Sequence, residues 1–166
     1  LRLVESRLAK VHDSLAGYGG LFTGRALISG ALALSDANPL SIRLRGRLKR
    51  TKIPSIGRRS ADLDLLILQG ETTRIMPSQV LVDGNIVSFQ GPVYPTLDLT
   101  WRAQLFKSRR LLKNIGGEQL PKQLTANGRL RLEPRLRLDF RVDTKPYILS
   151  GQSIGAIKAQ GFMDSW

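Results

Sequence analysis

The sequence predicts a mostly β protein with an N-terminal helix, an α+β arrangement in which an antiparallel sheet shows solvent one basic face. Three observations predict it. Residues 1–16 carry apolar side chains at helical spacing, three later stretches alternate apolar and polar residues with a period of two, and arginines fill the polar positions of those stretches. The 166 residues favour a single domain over 1–166, divided into an amphipathic helix and glycine stop over 1–20, a sheet over 21–147 and a glycine-rich tail over 148–166.

Within 1–16, Val4, Leu8, Val11 and Leu15 form one stripe of a helix, with Arg2, Arg7 and Lys10 largely off it. Gly17, Gly19 and Gly20 then end it. From Leu21 to Leu34 the chain is small and apolar, and periodicity leaves a buried helix and a buried strand equally open. Ser35, Asp36, Asn38 and Pro39 make a turn.

Strand character follows. Leu40, Ile42, Leu44 and Leu48 share one face, and Ser41, Arg43, Arg45, Arg47 and Lys49 share the other. ADLDLLILQ reads as a more buried strand, and Asp83-Gly84 lies between two β-prone runs as a hairpin signal. Leu97, Leu99, Trp101, Ala103 and Leu105 alternate again. A short basic helix is expected within 107–116, stopped by Gly116 and Gly117. Between 129 and 142 every leucine, phenylalanine and valine sits on an even number and every arginine on an odd one. Pro134 interrupts this run, so it is an edge strand or a kinked hairpin. An exposed edge there would support self-association.

Catalytic chemistry is hard to build from these residues, and the chain reads as non-enzymatic. The single histidine, His12, adjoins Asp13 on the expected helix, where neighbours point about 100° apart and form no relay. There is no cysteine, no histidine cluster and no phosphate-binding glycine loop, so neither metal nor cofactor is expected. Asp62 and Asp64 share a strand face and read as solvated side chains. No small-molecule substrate is expected.

The charge points to binding. The formal net charge is +13, and residues 37–61 hold Arg43, Arg45, Arg47, Lys49, Arg50, Lys52, Arg58 and Arg59 with no acid between the first and last of them. Guanidinium groups clasp phosphates in pairs of hydrogen bonds, so this stripe is the leading candidate for an anion. Lys107, Arg109, Arg110 and Lys113 form a second basic patch. The first stripe has no aromatic on which a base could stack, so sequence-specific nucleic-acid readout is not expected. Anionic lipid or a nucleic-acid backbone fits better.

The N-terminal third resembles the matrix proteins of rhabdoviruses. The residues that carry the likeness are ESRLAKVHD, GYGG, ALISGALALSDANP and IRLRGRLKR, with Asp13, Gly24 and Leu32-Ala33-Leu34-Ser35 the most telling. LDLTWRAQL is similar to a later strand of that family. The family's basic arm and proline-rich budding motif are missing, and RLRLEPRLRLDFRVD has no counterpart in it. The resemblance implies a structural protein of the virion and host cytoplasm at the inner membrane face. Such a protein self-assembles and bridges an anionic leaflet to a nucleocapsid. A different class fits the long Leu/Arg strands: they are similar to β-groove proteins of the bacterial envelope that carry lipid or support secretion, placed in the periplasm. A viral movement or coat protein that binds RNA through its backbone is a third reading.

Overall fold

The computed structural model describes residues 2–7, 21–30, 37, 39–53, 57–111, 113, 119–132 and 134–164. The described chain is almost entirely antiparallel β. Twelve strands are β1 (Arg2–Arg7), β2 (Leu21–Ser29), β3 (Leu40–Ile53), β4 (Gly57–Gln69), β5 (Thr73–Val82), β6 (Asn85–Tyr94), β7 (Asp98–Leu105), β8 (Leu124–Leu132), β9 (Leu136–Thr144), β10 (Tyr147–Leu149), β11 (Gln152–Ile154) and β12 (Lys158–Asp164). One helix of four residues, α1 (Ser108–Leu111), lies between β7 and β8. Ten strands form one continuous sheet in the order β1 to β9 followed by β12, while β10 and β11 make a separate small hairpin.

This corrects the expected α+β class. Residues 2–7 form a strand whose backbone pairs with β2, with a register shift between Leu3 and Ser6, and not the first turns of a helix. Four apolar positions at helical spacing are a weak constraint. A neighbouring strand edge offers one side of the backbone a ladder of partners and overrides them. Leu8, Val11, Leu15 and the glycine stop lie outside the described residues. The ambiguous apolar run beginning at Leu21 resolves as strand β2, paired with β3 from Leu21↔Lys49 to Ser29↔Ser41. Residues 148–166, read as a tail, contain β12, which is the last strand of the large sheet. Pro134 falls in the turn joining β8 to β9, and both strands are paired on each side. The open edges of the ten-stranded sheet therefore belong to β1 and β12, and Pro134 marks none.

Turn chemistry explains the meander. Asp83 and Gly84 both have positive φ, 49° and 80°, which suits a two-residue hairpin to the sheet's twist. Next to it Asn85, 1% exposed, donates from Nδ2 to the Val82 carbonyl at 3.0 Å and accepts from the Lys107 amide at 2.9 Å. It thus ties the hairpin to the β7–α1 corner. The β4–β5 ladder slips around Pro77, a residue that cannot donate to a ladder. The buried Ser78 hydroxyl repairs the slip by accepting from the Leu66 amide at 3.0 Å and donating to the Met76 carbonyl at 2.7 Å.

Register sorts the side chains. In β3 to β9 the paired residues Leu44↔Leu65, Leu63↔Val80, Val80↔Val87, Val87↔Ala103, Leu99↔Leu130 and Leu130↔Leu138 all fall on one face. Its best-buried part is a cluster of Ala61, Val82, Ala103, Leu105, Leu124 and Ala126 closed over by Leu111 of α1, with Leu120 packed against it. Away from α1 the same face opens: Leu44, Leu65, Leu99 and Leu138 are half-buried, and Leu132 and Leu136 are exposed.

Glycine has a defined job on this face. Trp101 pairs with Gly128 and Phe140 with Gly161, and each ring lies over the neighbouring glycine. A Cβ on Gly128 would meet the Asp139 carbonyl oxygen and stand 2.9 Å from two Trp101 ring carbons. Gly128→Ala is expected to cost about 1–3 kcal/mol, the usual penalty for overpacking. Gly155→Ala, where a Cβ meets nothing within 4 Å, should change stability by less than about 0.5 kcal/mol. Urea unfolding of the two variants checks this; equal midpoints would refute the packing role of Gly128.

Candidate functional site

The opposite face of the sheet carries charges of both signs. Arg45 stands opposite Asp64 and Arg47 opposite Asp62 in the β3–β4 ladder. Asp64 accepts from Arg43 Nε and Nη2, both at 3.2 Å, and from Arg45 Nε at 3.0 Å. Arg47 Nε lies 3.2 Å from Asp62 Oδ1. A second group repeats the arrangement on β7, β8 and β9. Arg129 holds Asp98 through two nitrogens, while Arg131 Nη2 and Arg137 Nε donate to Asp139 at 2.7 and 2.8 Å. Arg141 lies 3.5 Å from Asp143. The basic face expected from the sequence is thus corrected to a mixed one. In sequence no acid interrupts 43–59; in space the next strand supplies two.

These pairs move titrations. Hydrogen bonds from Arg45 first, then Arg43, hold the Asp64 carboxyl below the usual carboxylate range. Arg137 and then Arg131 do the same for Asp139, and Arg129 for Asp98. The same bonds raise Arg45 and Arg137.

The stripe does not stay together beyond Leu48. A bulge falls between Leu48 and Thr51, with Arg50 at φ 52°, and shifts the alternation. Lys49 and Arg50 are exposed there, and Lys52 is opposite Arg58 in the ladder. Arg58 is exposed, but Arg59 turns toward α1. Its Nε makes a charge contact with Asp83 Oδ2 at 3.2 Å without hydrogen-bond geometry, and its Nη2 donates to the Arg110 carbonyl at 3.4 Å. The fold therefore brings Arg59 of the first patch to Arg110 of the second, 51 residues away in sequence. Lys113 is exposed just beyond α1. Arg109 is half-buried and fixed by backbone acceptors, donating from Nε to the Leu120 carbonyl at 2.5 Å and from Nη2 to that of Ile148 at 3.3 Å.

Sequence reading missed two things. One is that Lys122, Lys145 and Lys158 belong to the same end of the sheet; each is isolated in sequence, and only the strand order gathers them. The other is the extent of the apolar face, which reaches from β2 to β12. On it the Trp101 indole N–H is buried with no acceptor among the described residues. Among those residues no three metal-ligating side chains gather, no helix is long and apolar enough to cross a membrane, and His12 is not included.

The structure defines the class of the protein: an open, single-sheet antiparallel meander with one apolar and one charge-paired face, closed at one end by a short helix. No protein-family model, curated protein or solved structure matches the chain.

The depressed carboxyls set an acid limb. A carboxyl whose folded value lies below its unfolded one stabilises the fold above the unfolded value, about 3.9 for Asp, and that stability is lost as pH falls through the folded value. The melting temperature is therefore expected to drop progressively below about pH 4. Asp64→Asn and Asp139→Asn should each lower the plateau at neutral pH and flatten the limb. A limb of unchanged steepness in the double variant would refute the role of these pairs.

Proposed function

We propose that the protein is a non-enzymatic carrier of amphiphiles, of the envelope β-groove kind, that lays acyl chains along its apolar face. The observation that carries this is the face itself. From β2 to β12 the side chains described on it are mostly Leu, Ile, Val, Ala, Phe, Trp and Gly, with few polar groups, and among the described residues only α1 and the segment at Leu120 close over one end. Its polar members are largely spent: Ser78 and Asn85 bond to the backbone of their own sheet.

The occupant follows from that chemistry. A protein partner fixes its register with roughly one hydrogen bond per 100–200 Å² of interface, and this face has almost none to give. An acyl chain needs none. The Trp101 indole N–H, buried on this face without an acceptor among the described residues, suits one acceptor on an otherwise apolar ligand, such as an ester carbonyl. The mixed face opposite keeps the sheet soluble.

A matrix-type role, in which the chain self-assembles and bridges an anionic leaflet to a nucleocapsid, is favoured by the open edges of β1 and β12. That role places binding on charges and is separable by salt.

The test is a chain-length series of fluorescent fatty acids. Each added methylene that reaches the face contributes about 0.8 kcal/mol, close to fourfold in affinity. Binding should tighten by that factor per carbon and persist in high salt. Leu44→Lys and Leu138→Lys should weaken it at least tenfold, while Leu66→Lys on the other face leaves it within a factor of about two. Affinity independent of chain length, or abolished by salt, would overturn the carrier reading in favour of the charge-based one.

A further inference from the structure

We infer that the closed end of the sheet, where α1 sits, is a docking surface for an anionic lipid bilayer. This goes beyond the carrier reading and stands without it, because it rests on a different part of the molecule.

The net positive charge is not spread evenly. Arginines of the mixed face are paired with Asp62, Asp64, Asp98, Asp139 and Asp143. Of the exposed cations that form no ion pair among the described residues, Arg25 and Arg102 lie in mid-sheet and Arg74 and Arg135 at the open end, while Arg58, Lys107, Arg110, Lys122, Lys145 and Lys158 gather at the closed end. Among the described residues the acids of this end are already engaged, Asp83 by Arg59 and Asp143 by Arg141. Beside α1, Arg109, Lys122, Lys145 and Tyr147 line a hollow of about 400 Å³ without a carboxylate, large enough for a phosphate group.

Apolar tips are set among these cations. Phe106 is 47% exposed, Ile148 68% and Ile157 42%, and each adjoins Lys107, the Arg109-bonded hairpin or Lys158. They are held in place. Arg109 fastens the β10–β11 hairpin to α1 through the Ile148 carbonyl. Thr144 and Ile157 exchange two hydrogen bonds, from the Thr144 amide at 2.9 Å and to the Thr144 hydroxyl at 3.0 Å. The surface is thus a rigid end with cations to meet headgroups and aliphatic tips to enter the acyl boundary.

That combination selects a bilayer over nucleic acid. Ile148 and Ile157 gain nothing from a phosphodiester backbone but leave water when they insert between headgroups. Each cation near an anionic leaflet contributes about 1 kcal/mol, so several together hold the end against it without a deep pocket.

The experiment is co-sedimentation of the full chain with phosphatidylcholine vesicles, with and without phosphatidylglycerol, at low and high salt. Binding is expected only to the phosphatidylglycerol vesicles. Lys122→Gln/Lys145→Gln should weaken it about 30-fold, two losses of about 1 kcal/mol each. Arg74→Gln/Arg135→Gln removes the same charge at the opposite end and should cost less than about threefold. All four side chains are exposed, so folding is not at stake. Ile148→Ser/Ile157→Ser should lower affinity about tenfold. Equal losses from the two charge pairs, no effect of the isoleucine changes, no vesicle binding at all, or tighter binding to an RNA oligomer at equal phosphate would each overturn the docking surface. None of these outcomes bears on the chain-length dependence of fatty-acid binding, which tests the carrier reading separately.

Discussion

The rest of the structure depends on an unbroken cross-strand register. Ten strands make nine pairings, and eight of these join strands that are also neighbours in sequence. Because side chains alternate with a period of two, one register error would exchange the two faces for every residue beyond it. The sheet contains slips, at Leu48–Thr51 in β3 and around Met76–Ser78 in β5, yet across the second Ile75, opposite Ile67, falls on the same face as Val80, opposite Leu63. Extra residues at those bulges restore the parity. The buried Ser78 hydroxyl, which takes up the otherwise unpaired Leu66 amide, shows how a slip is accommodated without leaving a donor unsatisfied.

Register also decides where the charge goes. Arg45 and Arg47 meet Asp64 and Asp62 because β3 and β4 are in the one alignment that places odd positions of the first against even positions of the second. Exposed pairs of this kind contribute little individually to stability. They offset repulsion that the register itself creates: Arg131 stands directly opposite Arg137, and Asp139 accepts from both. On this face five aspartates serve seven arginines, so the pairing reduces its positive charge without cancelling it. The strand ends add cations with no opposite residue available, and more of these lie at the closed end than at the open one.

Much of this was legible in the sequence, element by element. The alternation at 40–48, 97–105 and 129–142 maps onto β3, β7 and the β8–β9 hairpin, and Asp83-Gly84 is a two-residue turn. The class was not legible, because residues 2–7 carry the start of a helical stripe and no local feature announces the partner strand β2 that claims them. The charge pairs were hidden for a related reason. Absence of acids within 43–59 is a one-dimensional statement, and Asp62 and Asp64 sit only a few residues past its end, brought back by a hairpin. The convergence of Arg59 with Arg110 required the order of five strands and the placement of α1, none of which is written in either patch.

An amphipathic single sheet has two problems, an apolar face and two open edges, and the molecule treats them differently. The β12 edge is short, seven residues, and carries Lys158 at one end and Asp164 at the other, which discourages pairing with an arbitrary strand. Its exposed Phe162 is held on the charged face by the Arg137 guanidinium, 4.4 Å from the ring centre, so an aromatic that would attract a partner instead covers a salt-bridged arginine. The apolar face receives no comparable protection among the described residues beyond the cap at α1. Leucines half-buried in the middle and exposed at Leu132 and Leu136 grade from a closed end to an open one. A β12 edge guarded by charge beside a face left apolar is what the proposed carrier role requires: its ligand would enter along the strands from the open end and not add a strand to the sheet.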